Sequence, residues 1–210
     1  MNKKIIVTGG CGYIGSHTVI ELTVSGFDVV LFDDLSNSSK KTLERIHQIT
    51  GITPEFVNVD LKDEKATFEA FNAHKEAKAV IHFAAYKAVG ESVQKPLMYY
   101  KNNLFGLLNT LEAQMSLGIT NFIFSSSATV YGSPKTLPIT EEEQTQRPFS
   151  PYGNTKKIAE EIIDDFAKSQ QSFTAISLRY FNPIGAHDSG LIGELPNGIP
   201  SHDTFARVFS

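Results

Sequence analysis

Three residues in the second half of the chain have the types and spacing needed to act on an alcohol. Tyr152 and Lys156 lie four positions apart, which places them on the same face of a helix. Ser127 ends a run of serines that follows an apolar segment. A neighbouring ammonium favours the phenolate form of tyrosine, so this set could take a proton from a hydroxyl group. The set predicts nicotinamide redox chemistry, although each motif alone is also typical of a solvated helix face or a hydrogen-bonded turn.

A glycine-rich turn near the start of the chain predicts where the nicotinamide cofactor binds. Gly9, Gly12 and Gly15 follow an apolar run and precede a helical segment. The first glycine permits a tight turn, the second a close approach of the backbone to a pyrophosphate, and the third close packing of the helix on the sheet. The N-terminus of the helix offers free N–H groups to phosphates. The position of the glycines between strand and helix predicts a dinucleotide site.

Acidic residues after the next two strands predict which dinucleotide binds. Asp33 and Asp34 end the second strand, where a carboxylate accepts hydrogen bonds from ribose hydroxyls and repels a 2′-phosphate. NAD is therefore favoured over NADP, the alternative being a plain acidic loop. Asp60 ends the third strand and would reach the adenine or cap a turn or helix. Cys11 lies where any small residue would fit, so we interpret it as a packing residue rather than a nucleophile.

Strand-like and helical segments alternate along the chain and predict its fold. The strand candidates are short and apolar, as expected for strands buried on both faces; they are Lys4–Val7, Asp28–Phe32, Glu55–Asn58, Ala79–Phe83, Asn121–Ser125 and Thr174–Arg179. The helical candidates are Tyr13–Ser25, Lys40–Thr50, Glu64–His74, Gly90–Leu117 and Tyr152–Ser169, the third with Asp63 as N-cap. Repeated alternation predicts an α/β fold with a doubly wound parallel sheet of the Rossmann type.

Composition excludes several classes of function. The 210 residues are 41% hydrophobic and 20% charged, which fits a globular chain with one sizeable core. A net charge of −4 gives no basic surface for nucleic acid or anionic membranes. No run approaches the about 18 apolar residues that span a bilayer. A single cysteine and no apparent signal segment predict a cytoplasmic protein, and the spacing of the histidines predicts no metal site.

Five longer stretches together carry a resemblance to a known family. They are VTGGCGYIGSHT, IHFAAYKAVGESVQKPLMYYKNN, NFIFSSSATVYG, SPYGNTK and LRYFNPIGAH. The chain resembles the extended short-chain dehydrogenase/reductase family, and within it the 4-epimerases of UDP-hexoses. The likeness extends almost to Pro200.

The resemblance implies NAD as cofactor and a role for individual residues. The catalytic set would be Ser127, Tyr152 and Lys156. The substrate-binding residues would be Lys87, Ser127, Tyr152 and Asn182. The cofactor-binding residues would be Gly9, Gly12, Tyr13, Ile14, Gly15, Asp33, Asp34, Leu35, Ser36, Asn37, Ser38, Asp60, Leu61, Phe83, Ala84, Ala85, Tyr86, Lys87, Asn102, Ser127, Tyr152, Lys156, Tyr180 and Phe181.

The resemblance also implies a mechanism, the reversible conversion of UDP-glucose to UDP-galactose. Tyr152 would take the proton of the sugar 4-hydroxyl while hydride leaves C4 for NAD, and Ser127 would hydrogen-bond the same oxygen. The keto sugar would turn over and receive the hydride on its other face. Lys156 would hydrogen-bond the nicotinamide ribose. Relatives dimerise through two long helices, here Gly90–Leu117 and Tyr152–Ser169, so a homodimer is expected of a complete chain.

The end of the chain departs from the family pattern. Residues 201–210 no longer resemble it, and family members continue with a part that grips the uridine diphosphate. We therefore expect an NAD-binding domain at 1–180, followed by an incomplete substrate-binding region at 181–210. Such a chain would have little or no epimerase activity.

Alternative functions stay open. A 4,6-dehydratase would need an extra acid after the serine run, but Ala128, Thr129 and Val130 follow Ser127. An epimerase of UDP-N-acetylhexosamines remains possible at this stage, because pocket width depends partly on the region that relatives have beyond this chain. A non-catalytic NAD-binding module is the other alternative, against which the complete catalytic set argues.

Overall fold

A computed structural model describes residues 3–134 and 136–194, and its centre is a six-stranded sheet. The strands are β1 (Lys4–Thr8), β2 (Asp28–Asp33), β3 (Glu55–Asn58), β4 (Ala79–His82), β5 (Asn121–Ser127) and β6 (Thr174–Tyr180). Their order is β3-β2-β1-β4-β5-β6, and every neighbouring pair is parallel. This order confirms the predicted doubly wound sheet of the Rossmann type.

Helices cover both faces of the sheet and create two apolar cores. The helices are α1 (Tyr13–Val24), α2 (Lys41–Thr50), α3 (Glu64–Ala73), α4 (Val89–Gln94), α5 (Pro96–Tyr100), α6 (Gly106–Ser116) and α7 (Pro151–Ser169). On one face, residues of α3, α6 and α7 pack on the sheet around Phe71, Leu107 and Ile163. On the other, α1 and α2 pack around Ile20 and Ile46. None of the described helices is long and apolar enough to cross a membrane.

Local sequence explains where two of these helices begin. The side chain of Asp63 accepts a hydrogen bond of 2.9 Å from the backbone N–H of Ala66, which confirms it as the N-cap of α3. Ser150 caps α7 in the same way through the N–H of Gly153, at 3.1 Å. Pro151 occupies the first turn of α7, where the N–H that proline lacks would have no partner.

The single long helix predicted over Gly90–Leu117 is wrong. The chain forms α4, breaks at Lys95, and resumes as α5, a π-helical turn at Lys101–Phe105, and α6. Pro96 causes the break, because proline disfavours helical geometry in the residue before it and cannot continue the hydrogen-bond ladder. The π turn carries Asn102 and Asn103, and such turns recur at functional sites.

The prediction that all six strands are buried on both faces is wrong for the two edge strands: no residue of β3 is buried, and neither is any residue of β6. β6 is the edge of the described sheet next to β5, and its side chains Ile176 and Leu178 are exposed. An edge strand has a neighbour on one side only, so its apolar residues depend on whatever packs over them.

The segment after β6 turns back toward the start of the sheet. Ile192 is 4% exposed and belongs to the same core as the residues of α1 and α2. The proposed domain boundary at 180 stays a prediction, and residues 195–210, where most of the expected substrate region falls, lie outside the described part of the chain.

Replacing Gly15 with alanine tests the close packing of α1 on the glycine turn. The new Cβ would lie 2.2 Å from the carbonyl oxygen of Gly9, a distance that forces the helix outward. We expect the free energy of unfolding, measured by urea titration with circular dichroism, to fall by about 2–3 kcal/mol.

Gly90→Ala is the matched control, because a Cβ there meets nothing within 4 Å and the position lies in α4. We expect this control to be neutral or slightly stabilising. A Gly15→Ala protein as stable as the unchanged chain would show that α1 has room to move away from the turn at no cost.

Candidate functional site

The glycine turn joins β1 to α1 at the carboxyl edge of the sheet, where β1 lies between β2 and β4. Gly9 has a φ of +67°, a region that favours glycine, and a Cβ there would lie 2.7 Å from the backbone nitrogen of Ala84. Gly12 is the N-cap of α1, and no side chain caps this helix. The first-turn N–H groups of α1 have no acceptor within the helix. The turn therefore presents backbone donors to a groove along the sheet edge.

Asp33, at the end of β2, holds the turn and the next loop in place. Its carboxylate accepts hydrogen bonds from the backbone N–H groups of Cys11 (3.0 Å) and Leu35 (2.9 Å) and from the hydroxyl of Ser38 (2.8 Å). Burial raises the pKa of Asp33, and these hydrogen bonds oppose the rise. Asp34 is exposed instead and accepts from Ser36. The sequence predicted that both carboxylates face a ribose, but it did not predict that Asp33 holds the glycine turn and the next loop by hydrogen bonds.

A single groove brings together most of the residues predicted to bind a cofactor. It runs from the turn after β1, past the ends of β2, β3 and β4, to α7. The predicted residues that line it are Gly9, Gly12, Tyr13, Ile14, Gly15, Asp33, Asp34, Ser36, Asn37, Ser38, Asp60, Leu61, Phe83, Ala84, Ala85, Tyr86, Lys87, Asn102, Tyr152 and Lys156.

Five predicted site residues lie outside the groove lining. Leu35 has a φ of +59° and packs against the core under α1 and α2. Ser127 is buried at the end of β5, behind Tyr152, and Tyr180, Phe181 and Asn182 follow at the end of β6. Their predicted contacts with cofactor or substrate therefore remain predictions.

Lys156 joins α7 to β5 at the chemical end of the groove. Its amine donates a hydrogen bond of 2.7 Å to the carbonyl oxygen of Ser125. The same nitrogen lies 4.8 Å from the ring centroid of Phe124 and 6.0 Å from that of Tyr152. The residue is only 4% exposed, and this burial lowers the pKa of Lys156 to about 7, against the opposing charge of Glu160.

Burial acts on both Tyr152 and Lys156, and activation of Tyr152 by Lys156 stays a prediction. Burial raises the pKa of the Tyr152 phenol, and the influence that opposes this rise is a hydrogen bond with Ser127. Burial also disfavours the charged form of Lys156 and lowers its pKa to about 7. The phenol is therefore held in its protonated form by its surroundings, with Ser127 placed to donate to the phenolate.

A buried asparagine organises this end of the groove and was missed by sequence reasoning. Asn103 accepts from the backbone N–H of Tyr86 (2.9 Å) and donates to the carbonyl of Tyr86 (3.1 Å) and to the hydroxyl of Thr155 (3.0 Å). It thus ties the loop after β4 to α7. The stretch IHFAAYKAVGESVQKPLMYYKNN ends in Asn102 and Asn103 and so contains this residue. Only the π-helical turn shows that Asn103, rather than Asn102, is buried.

At the mouth of the groove, the predicted residues Lys87 and Tyr13 meet the segment after β6. Lys87 forms an ion pair with Glu194, and its amine lies 5.8 Å from the centroid of the Tyr13 ring. The hydroxyl of Tyr13 donates to the carbonyl of Gly185 at 2.6 Å. Ile192 and Glu194 line the groove from the returning segment. Ile192 and Glu194 reach the groove only through tertiary packing, so no local sequence pattern identifies them as groove residues.

Two smaller predictions have clear outcomes. Burial raises the pKa of the Cys11 thiol to about 12, which agrees with a packing residue. Asp60 lines the groove and accepts from the backbone N–H of Lys62, whose amine lies 3.0 Å from the same carboxylate and donates to Asn102. Asp60 therefore both forms a turn and faces the groove.

Comparison with known proteins identifies relatives over nearly the whole chain. The family model described as the NAD dependent epimerase/dehydratase family matches residues 5–201. Proteins called UDP-glucose 4-epimerase from Haemophilus influenzae and Bacillus subtilis are 54% and 52% identical over 198 residues, covering 94% of this chain. The chain spans 58% of the length of these curated relatives.

Solved structures agree with these matches. The crystal structure of UDP-glucose 4-epimerase from Bifidobacterium longum in complex with NAD+ and UDP is similar with a TM-score of 0.91 and 49% identity, over 94% of this chain and 59% of that one. The structure of a UDP-Glc/GlcNAc 4-epimerase from Campylobacter jejuni is similar with a TM-score of 0.80 and 36% identity, over 85% of this chain and 53% of that one.

The buried amine of Lys156 makes a testable contribution to stability. Its pKa of about 7 lies below the ordinary value of 10.5, so between these values the unfolded chain binds more protons than the folded one. Stability from this group therefore rises with pH across that window. Relative to Lys156→Met, the free energy of unfolding should rise by up to about 1.4 kcal/mol per pH unit.

Urea titrations at pH values across this window measure the difference. Lys157→Met is the matched control, since Lys157 lies next in α7 and pairs with Glu161 near the surface. We expect the control to follow the unchanged protein at every pH. If the free energy of unfolding of Lys156→Met also changes with pH in parallel with that of the unchanged protein, Lys156 keeps its ordinary pKa in the folded state.

Proposed function

Because the chain belongs to the NAD dependent epimerase/dehydratase family, we propose that it binds NAD in the groove and carries the chemistry that interconverts UDP-glucose and UDP-galactose. One observation supports this above all others. Tyr152 and the buried Lys156 line one end of the same groove that begins at the glycine turn, and Ser127 hydrogen-bonds Tyr152 from outside the lining. The names of the relatives in Haemophilus influenzae and Bacillus subtilis support UDP-glucose as the substrate.

The donor set of the groove fits NAD. The uncapped N-terminus of α1 and the turn at Gly9 and Gly12 offer backbone N–H groups for a pyrophosphate, and the first turn of α1 carries no acidic residue to repel it. The exposed carboxylate of Asp34 suits ribose hydroxyls and disfavours a 2′-phosphate. Cofactor and chemistry would then meet where the groove passes between the loop after β4 and α7.

The residues at the chemical end then take separate roles. Bound NAD would supply a hydride acceptor and donor for C4 of the sugar and a positive charge that favours the phenolate. Tyr152 takes the proton from the sugar 4-hydroxyl and later gives it back. Ser127 hydrogen-bonds the same oxygen and stabilises the phenolate. Lys156, fixed on the carbonyl of Ser125, keeps α7 against β5 so that the phenol faces the groove.

Two of the described residues, Lys87 and Asn182, are proposed to anchor the substrate. Lys87, at the groove mouth beside Tyr13, is placed to attract a diphosphate, and Glu194 balances its charge in the free chain. Asn182 follows β6 and is proposed to contact the nucleotide sugar. The relatives are considerably longer than this chain, so the substrate and activity of a whole protein are part of the proposal. Cytoplasmic location is proposed as well, in keeping with the free thiol of Cys11.

Reduction of bound cofactor by sugar nucleotide tests the proposed function. We expect calorimetry to show uptake of NAD, and saturating UDP-glucose to give nicotinamide fluorescence in a single turnover, while steady interconversion of UDP-glucose and UDP-galactose stays slow or absent, as the sequence predicts. Tyr152→Phe should bind NAD with similar affinity but reduce it at least about 100-fold more slowly.

The other outcomes of this experiment would reject or change the proposed function. Without NAD uptake, the proposal fails at its first step. NAD uptake with no sugar-dependent fluorescence would favour a non-catalytic binding module, and fluorescence with UDP-N-acetylglucosamine alone would replace the proposed substrate.

We further propose that the chain forms a homodimer through the two regions Gly90–Leu117 and Tyr152–Ser169, which correspond to α4 to α6 and to α7. The first region exposes large apolar side chains: Val93, Leu97, Phe105 and Leu108. Contiguous apolar surface of this kind marks interaction sites. We expect a dimer in sedimentation velocity, and a monomer for Leu97→Glu. Ile52→Glu, at a site before β3 that is also exposed (53%, against 74% for Leu97), should leave the dimer intact; a monomeric unchanged chain would end the proposal.

A further inference from the structure

A nearly buried ion pair lies directly behind the chemical end of the groove. Glu160 on α7 and Arg179 on β6 make three hydrogen bonds: Nη2 to Oε2 at 2.8 Å, and Nε to Oε1 and Oε2 at 3.0 and 3.3 Å. The side chains are only 12% and 24% exposed, respectively. Neither residue lines the groove. Both residues instead line a separate open cavity between α7 and β6.

The same pair reaches the two segments that flank Ser127. Glu160 accepts a hydrogen bond from the hydroxyl of Ser126 on β5. Arg179 donates to the hydroxyl of Tyr131 at 3.0 Å, with its guanidinium 4.9 Å from the centre of that ring. Tyr131 ends the short 3₁₀ turn that begins directly after Ser127.

These contacts form a closed frame around the catalytic set. Ser126 lies between Ser125, whose carbonyl accepts from Lys156, and Ser127, which interacts with Tyr152. Glu160 stands one helical turn beyond Lys156 on the same face of α7. Every element that carries a member of the set is therefore tied to the ion pair, and β6 is tied in as well.

We infer that Glu160 and Arg179 are positioning residues, which hold β5 and the turn after it against α7 and so fix Ser127 and Lys156 beside Tyr152. The inference rests on the proposed function, which makes those three residues catalytic. Burying two charges is unfavourable unless they pair and hydrogen-bond well, and here both conditions are met. The contacts with Ser126 and Tyr131 connect the pair to the two segments that flank Ser127.

Charge gives the pair a measurable effect on the site. The groups packed around the amine of Lys156 are the neutral ring of His82 on β4, the phenol of Tyr152, and the carboxylate of Glu160. Burial lowers the pKa of His82 to about 3, so it carries no charge near neutral pH. Glu160 supplies the negative charge that raises the pKa of Lys156 against burial.

Titration of Lys156 in the 210-residue chain without cofactor tests the inference. NMR of protein labelled with ¹³Cε-lysine follows the amine directly, and Lys156→Met assigns its signal. We expect Glu160→Gln to move the titration midpoint of Lys156 down by at least about half a pH unit. Glu161→Gln, which breaks the exposed pair with Lys157 on the same helix, should leave the midpoint unchanged.

A second variant covers the case in which Glu160→Gln fails to fold because Arg179 is left unpaired. The double change Glu160→Gln with Arg179→Met removes both charges, and we expect a folded chain whose Lys156 midpoint is again lowered. A midpoint equal to that of the unchanged protein, in whichever of the two variants folds, overturns the inference.

A kinetic measurement separates positioning from general stability. In folded Glu160→Gln, the single-turnover reduction of bound NAD by UDP-glucose should slow about tenfold or more, with NAD affinity within about threefold. An unchanged rate also overturns the inference. If the unchanged chain itself gives no reduction, the proposed function has failed, whereas the NMR result still decides whether Glu160 acts on Lys156.

Discussion

The hydrogen bond from the amine of Lys156 to the carbonyl of Ser125 is the contact on which the chemical end of the groove depends. It draws α7 onto the carboxyl end of β5 and buries the amine under the ring of Phe124. The same burial lowers the pKa of Lys156 and raises that of Tyr152, since both charged forms lose solvent. The site thus places a phenol with a raised pKa beside an amine whose pKa is lowered to about 7. A positive ring bound against them would favour the phenolate.

The other end of the groove follows a comparable rule, in which a buried carboxylate organises backbone donors. Asp33 satisfies the N–H of Cys11 within the glycine turn and the hydroxyl of Ser38 in the following loop. Its neighbour Asp34 stays exposed to the groove. The two adjacent carboxylates therefore have different roles: Asp33 fixes the glycine turn and the following loop, and Asp34 faces the groove. The strand order places this cradle beside β4, whose loop leads to Asn103 and so to α7.

Sequence reasoning located the strands, the glycine turn and the tyrosine–lysine pair, because each depends on local periodicity or spacing. It failed where distant packing decides. Pro96 divides a segment whose apolar pattern reads as one helix, and the exposure of Ile176 depends on what lies over an edge strand. The pKa of Lys156 depends on burial that no spacing reports. Glu194 reaches the groove from the opposite end of the chain, so no motif could include it.

The central claim is that one ligand spans the groove from the glycine turn to the phenol of Tyr152. The most direct measurement is a nuclear Overhauser experiment on NAD bound to chain with labelled tyrosine rings, in which Tyr152→Phe assigns the signal. We expect a cross-peak between the C4 hydrogen of the nicotinamide and the ring hydrogens of Tyr152. Bound NAD whose adenine hydrogens give that cross-peak, or whose nicotinamide shows none, would contradict the claim.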